Sequence, residues 1–510
     1  MRTQFKALSG VVALVMCGTL VGCAGEGTMN VPSGVDQGHY AVPDQAWPTD
    51  GEEYDDSPET PFKDVATSPL STFSSDVDTA SYSNLRRQLN SGIRPEGVRI
   101  EELVNYFDYD YPAPGANAKD PFDVTTEVSE CPWDDAHQLA MIGVQATRAT
   151  PTTKGNNIVF LLDVSGSMDE PDKLPLLIES FSLLVDKLGE NDVVSIVTYA
   201  GSDRVVADSV PGFQHGRLTE LLNSLSAGGS TAGADGLRTA YDLARKNFIS
   251  GGNNRVILAT DGDFNVGPST PEALTDLIER ERDSGTYISM LGFGMGNLKD
   301  NTMEAIADHG NGNYAYIDTL EEARKVLVDE FGSTMFVVAQ DLKLQVEFNP
   351  AMVRQYRLIG YDNRRLENED FTDDTKDAGD VGAGHSVTAF YELIPSDGKP
   401  VKASLKYQDS TPRSSSDYLT VSVRYKHPGA PESTQVQFPV GKKAYTSTPS
   451  QDFSFASAVV EFGLIVTDSR YRENATLASV QRRAIKSIGT DPYGLRQEFV
   501  TLVDEYKSLG

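Results

Sequence analysis

Between Asn157 and Phe336 the chain alternates short continuous apolar runs with stretches whose hydrophobic residues recur at helical spacing. NIVFLLDV, VVSIVTYA, RVILAT, YISMLGFG and NYAYID read as strands buried on both faces, and helices are predicted from Lys173, Leu218, Ala232, Pro271, Met303 and Leu320. Buried runs separated by amphipathic helices predict an α/β fold, a doubly wound, mostly parallel sheet. RVVADSV follows its predecessor through a short GSD turn and is expected as an antiparallel edge strand.

On either side of this unit the period changes to two. Phe122 to Val128 and Gln138 to Ala146 alternate before it, and DLKLQVEF, VRQYRLIGY, SVTAFYELI, KASLKY, YLTVSVRY and TQVQFPV alternate after it. The pattern predicts an antiparallel β-sandwich into which the α/β unit is inserted, strands before residue 150 joining those after 340. Helices are expected at both termini: Ala80 to Leu89 and Val98 to Phe107 first, then Phe453 to Val466, Ala478 to Ile488 and Leu495 to Tyr506. The acidic stretch ENEDFTDDTKDAGD (367–380) reads as a solvated loop.

The 510 residues exceed what one core usually supports, so more than one domain is expected. A formal charge of −30 and the absence of any Lys/Arg block exclude nucleic-acid binding through a basic surface. At the start, Arg2 and Lys6 precede an apolar stretch from Ala7 to Leu20 that is too short for a stable membrane-spanning helix. Leu20-Val21-Gly22-Cys23 resembles the lipobox of bacterial lipoproteins, which implies cleavage and lipidation of Cys23. Residues 24 to about 66 are rich in Gly, Pro, Asp, Glu and Ser and read as a disordered tether. Cys131 then remains as a lone thiol, read as a buried structural residue. The expected organisation is a lipoprotein signal peptide (1–22), an acidic tether (23–66), helices plus the first sandwich strands (67–154), the α/β domain (155–337), the remaining sandwich (338–445) and a helical region (446–510).

Chemistry concentrates where the buried runs end. LLDVSGSM places Asp163, Ser165 and Ser167 at one strand-to-helix turn, AGGSTAGADGL carries Thr231, and VILATDGD ends in Asp261. Two carboxylates and three hydroxyls form a hard oxygen set with no His or thiolate. Such a set suits Mg²⁺, with Mn²⁺ or Ca²⁺ as alternatives, and waters would complete an octahedron at about 2.1 Å. Open α/β sheets gather such residues in the crevice beyond their C-terminal strand ends.

The Asp-x-Ser-x-Ser, later Thr and later Asp of this chain resemble the metal-ion-dependent adhesion site of von Willebrand factor type A (VWA) domains. STFSSDVDTASYSNLRRQL (71–89) and GHSVTAFYELIP (384–395) look like flanks of a bacterial subfamily of A-domain lipoproteins. The resemblance implies a site in which Asp163, Ser165, Ser167, Thr231 and Asp261 hold a divalent cation that takes a Glu or Asp from a protein partner. The lipobox resemblance implies an exported protein anchored to the cell envelope by lipid, and Ala24 after Cys23 favours the outer membrane where the cell has one.

Other readings fit less well. Gly292 to Asn297 puts Asn where a dinucleotide loop needs its third Gly, and Gly228 to Ala232 misses a nucleophile elbow by its last residue. Asp261, Asp263, Asn265 and Glu272 follow calcium-loop spacing, but Val266 stands where the loop requires Gly. Asp76-Val77-Asp78 lacks the preceding buried strand of a phosphoryl-transfer pair, and the six His are scattered singly. Two alternatives remain: a metal-assisted hydrolase with Asp263 as base, and a scaffold whose metal only stabilises the fold.

Overall fold

The structure, a computed structural model, describes residues 52–54, 58–115, 118–148, 154–229, 233–262, 271–376, 378–396 and 415–510. Cys23, Thr231, Asp263, Asn265, the Glu272 side chain and the predicted strand KASLKY lie outside the described residues.

Asn156–Asp163 and Asn253–Thr260 are adjacent parallel strands buried at every position, as continuous apolar runs in a two-sided sheet must be. Val193–Tyr199 lies on one flank, followed by Asp203–Pro211 as the antiparallel edge; Tyr287–Phe293 and Tyr314–Ile317 complete the other flank in parallel. Helices cover both faces, packing Leu177, Phe181 and Leu184 on one and Leu237, Tyr241 and Met303 on the other.

Two antiparallel sheets enclose a second core. In one, Asp134–Ala146 pairs with Phe122–Cys131 and with Ser386–Pro395, so strands before and after the α/β unit share a sheet. In the other, Val337–Phe348 pairs with Asp417–Lys426, which pairs with Ser433–Gly441. Their inner faces meet through Val128, Ile142, Leu344, Val421 and Val423. The entrance and exit of the inserted unit converge at the end of its sheet opposite Asp163: Asn253 Nδ2 lies 3.0 Å from Met335 Sδ and 3.4 Å from Asn156 Oδ1.

Two expectations need correction. The tether does not run unstructured to residue 66, because Lys63–Asp64 pairs with Val353–Ile359, and Leu70–Ser74 adds a further strand against Val337–Phe348. The acidic loop is pinned and not merely solvated. Phe371 is buried, Arg424 pairs with Asp374 at 2.9 Å, and Lys426 donates to the Asp374 carbonyl at 3.0 Å.

The terminal helices act as mortar between the two bodies. Arg86, on Ala80–Asn90, reaches Asp318 and Glu322 of the α/β unit at 2.5 and 2.7 Å and Glu498 of the last helix at 3.1 Å. The C-terminal helix Gln451–Val466 is apolar almost all round and buries Phe455, Val459 and Phe462 against Leu103 and Phe107. Cys131 is buried, which pushes its thiol well above the usual range and leaves it chemically inert.

Glu101 sits in this interface, where burial first and the charge of Glu102 second push its carboxyl up to about 7. The unfolded chain releases that proton near 4.5, so between those values the folded state binds more protons and loses stability as pH rises. Glu101→Gln is expected to flatten the fall in Tm across that window, removing about 3 kcal/mol of pH-dependent destabilisation. Thermal melts at half-unit pH steps check this; an unchanged slope would show that Glu101 titrates normally.

Candidate metal centre

Asp163 ends its strand at the C-terminal edge of the sheet, and Asp261 follows the neighbouring strand by one residue. Parallel pairing in register, Leu162 opposite Ala259, therefore delivers both carboxylates to one crevice, and both are fully buried. Asp163 Oδ1 accepts from the Ser165 backbone N–H at 2.8 Å, folding the turn back on itself, and Oδ2 accepts from Thr260 Oγ1 at 3.1 Å. Ser165 and Ser167 hydroxyls stand 3.1 Å apart, Ser165 buried and Ser167 half-buried beside exposed Gly166. The crevice thus opens to solvent on its serine side.

The loop leading to Thr231 is zipped to the same turn. Gly228 N–H donates to the Val164 carbonyl at 2.8 Å and Gly166 N–H to the Gly229 carbonyl at 3.0 Å. The backbone just before Thr231 is thereby held against the serine turn.

Burial raises the Asp163 carboxyl above the usual range and the charge of Asp261 pushes the same way, against the Ser165 and Thr260 hydrogen bonds. Tyr199, buried beside them, has its phenol held well above its ordinary value by burial and then by Asp163. Two buried carboxylates in one crevice call for positive charge. Part of it comes from Lys173, whose Nζ donates to Asp261 Oδ2 at 2.9 Å with both side chains buried. Lys173 stood in the sequence only as a helix start; a single Lys there reads as surface, and its partner is distant in the chain. Gly294 makes room for it: φ is +69°, and a Cβ there would lie 2.3 Å from Lys173 Cγ. Gly262, at φ +101°, likewise lets the Asn297 backbone approach, and Asn297 Nδ2 reaches Asp261 Oδ2 at 3.4 Å.

The same loop is held from outside by the stretch expected to be free tether. Glu52 Oε1 accepts from Gly296 N–H at 3.0 Å while its carboxylate pairs with Arg87 at 2.9 Å, and Glu53 N–H donates to the Leu298 carbonyl at 3.0 Å. Burial alone would raise the Glu52 carboxyl; Arg87 holds it below the usual range.

Among the described residues no three His, Cys, Asp or Glu side chains are grouped so as to hold a metal ion by themselves. The donor set is instead two carboxylates plus hydroxyls, and its chemistry fits a hard divalent ion. Lys173→Met is expected to cost about 3–5 kcal/mol in chelator, because Asp261 loses its ammonium while staying buried. Urea unfolding with EDTA measures it, and a loss under about 1 kcal/mol would mean that the pair is not structural.

Comparison with known proteins follows the architecture. Residues 157–330 match the "von Willebrand factor type A domain" family model, residues 48–141 a model described as "von Willebrand factor", and residues 333–509 the model "Uncharacterized protein YfbK, C-terminal". "Uncharacterized protein YfbK" of Escherichia coli (strain K12) is 41% identical over 465 residues, covering 89% of this chain and 80% of the relative. The chain belongs to the YfbK family.

Human "Inter-alpha-trypsin inhibitor heavy chain H3" is 27% identical over 175 residues, which is 32% of this chain and 19% of that protein. The solved "von Willebrand factor type A from Catenulispora acidiphila" aligns with a TM-score of 0.44 at 16% identity, covering 76% of this chain and 90% of that one. The chain carries a VWA domain between sandwich strands, and its family relationships fit a protein-interaction module of adhesion or assembly type.

Proposed function

We propose that the protein is a lipid-anchored component of the bacterial cell envelope whose VWA domain captures a protein partner through a divalent cation. Asp163, Ser165, Ser167, Thr231 and Asp261 would hold the ion, Mg²⁺ before Mn²⁺ or Ca²⁺. When bound, the ion supplies a Lewis-acidic position for a carboxylate from outside. The carrying observation is the meeting of two buried carboxylates and the paired Ser165 and Ser167 hydroxyls at a crevice open on its serine side.

The chain's own residues shape that encounter. Lys173 neutralises one of the two carboxylates, so less protein charge opposes an incoming Glu or Asp. Ser165 N–H fixes Asp163, and the Glu52–Arg87 pair steadies the loop carrying Asn297. Anchoring would rest on the acylated Cys23, and no helix among the described residues is long and apolar enough to cross a membrane. The hydrolase alternative has less support: its base would be Asp263, which lies outside the described residues.

The test is capture from envelope extract by wild-type protein in Mg²⁺, compared with EDTA and with Asp163→Ala in Mg²⁺. A partner retained only by wild type in Mg²⁺ is the expected result. Equal capture under all three conditions would count against the reading.

A further inference from the structure

At the opposite end of the VWA sheet, Arg255 lies near the start of Asn253–Thr260 and is 1% exposed. Its side chain lines a cavity of about 300 Å³ between the α/β unit and the sandwich, with Asn311, Asn313, Ser333 and Asp380 on the walls. Nη1 donates to Ser289 Oγ at 2.7 Å, and the guanidinium carbon stands 5.5 Å from the Tyr287 ring centre. The buried Nε has no hydrogen-bond partner.

Arg87, Arg357 and Arg483 share an unpartnered Nε, but among the described residues every other buried arginine has a carboxylate partner. Arg86, Arg87, Arg357 and Arg496 each pair with at least one carboxylate at 3.0 Å or less. Among the described residues Arg255 forms no ion pair, and burial pushes it down to about 10 against the pull of Tyr287 and Asp380. A buried guanidinium without an anion is costly, and its planar fork matches a carboxylate.

The wall also carries Arg364, Arg365 and His309; Arg365 donates to the Asp362 and Pro58 carbonyls at 3.1 and 3.5 Å, and His309 Nδ1 stands 3.0 Å from Glu279. Asp76 and Asp308 pair with Arg364 at 2.9 and 2.5 Å, while Asp380 accepts from Asn311 Nδ2 at 3.1 Å and from the Asp341 N–H at 3.2 Å. Those three carboxylates disfavour a dianion, and the amides and hydroxyls leave neutral hydrogen bonds for the rest of a ligand. The volume is that of a small-molecule site. We infer that this cavity binds a small monocarboxylate, its carboxyl group anchored on the guanidinium of Arg255. The site is separate from the metal crevice and does not depend on it.

The test titrates acetate and free alanine, with inorganic phosphate as the dianion, into the full chain, followed by calorimetry and thermal shift. Saturable binding of a monocarboxylate, at least about tenfold tighter than phosphate, is expected, and Arg255→Gln should weaken it at least about tenfold. Should the Gln variant not fold, Arg255→Lys keeps the charge without the fork and should still weaken binding severalfold. On wild-type protein the Arg255 Nε–H resonance should move with the same saturation curve. No saturable carboxylate binding, a stationary Nε–H signal, or phosphate binding tighter than acetate would each overturn the assignment.

Discussion

Asp163→Asn is expected to abolish divalent-cation binding while leaving the metal-free protein as stable as wild type or slightly more so. The two halves of that outcome have one cause. Asp163 is fully buried, is raised by burial and by the charge of Asp261, and shares the crevice with the Lys173 ammonium, which is paired to Asp261. Removing its charge relieves repulsion when no ion is present, and an Asn keeps a carbonyl oxygen to accept from Ser165 N–H. With Mg²⁺ in hundredfold excess over its Kd, wild type should gain about 2.7 kcal/mol, and the variant nothing. Paired thermal melts in EDTA and Mg²⁺, with calorimetric titration of Mg²⁺, separate the two terms. A variant that still gains stability from Mg²⁺ would place the ion elsewhere. A variant that collapses in EDTA would make Asp163 a structural carboxylate.

How much of this was legible follows from where each signal lives. The parallel strands were plain because burial on both faces forces every residue of Asn156–Asp163 and Asn253–Thr260 to be accommodated in an interior. Asp163, Ser165 and Ser167 were legible because their spacing is local, and one turn brings their side chains together. Leu70–Ser74 was not, since its buried polar residues are satisfied from far along the chain: Thr72 Oγ1 donates to Asn368 Oδ1 at 3.1 Å and Ser74 Oγ accepts from Gly379 N–H at 2.8 Å. Before folding, LSTFS has neither alternation nor length. Glu52 hid in the same way, as one acid in an acidic run whose only distinction is Arg87 opposite it. Lys173 and Arg255 escaped for a related reason, because a single cation in a sequence says nothing about its depth. Thr231, a member of the candidate set, lies outside the described residues, so its evidence is the zipped backbone that leads to it.

Arg364→Met should be the most destabilising single change outside the metal crevice, and acid should repair it. Arg364 sits where the sandwich meets the VWA domain, with Asp76 and Asp308 on Nη1 at 2.9 and 2.5 Å and Asp78 and Glu304 on Nη2 at 3.1 and 2.7 Å. Even with the arginine present, burial first and the charge of Asp76 second hold Asp78 and Asp308 well above the usual carboxylate range. Without it, four carboxylates confront one another in a poorly solvated interface, at a cost of about 3–5 kcal/mol near neutral pH. The carboxyl groups of the folded variant then hold their protons to still higher pH, whereas those of the unfolded chain titrate near 4. As pH falls from neutral toward that value the folded form takes up protons that the unfolded form does not, so the penalty shrinks. The Tm difference between wild type and variant is therefore expected to narrow steadily from pH 7 to pH 4.5. A gap that stays constant with pH would assign the loss to packing of the arginine stem and remove charge from the account.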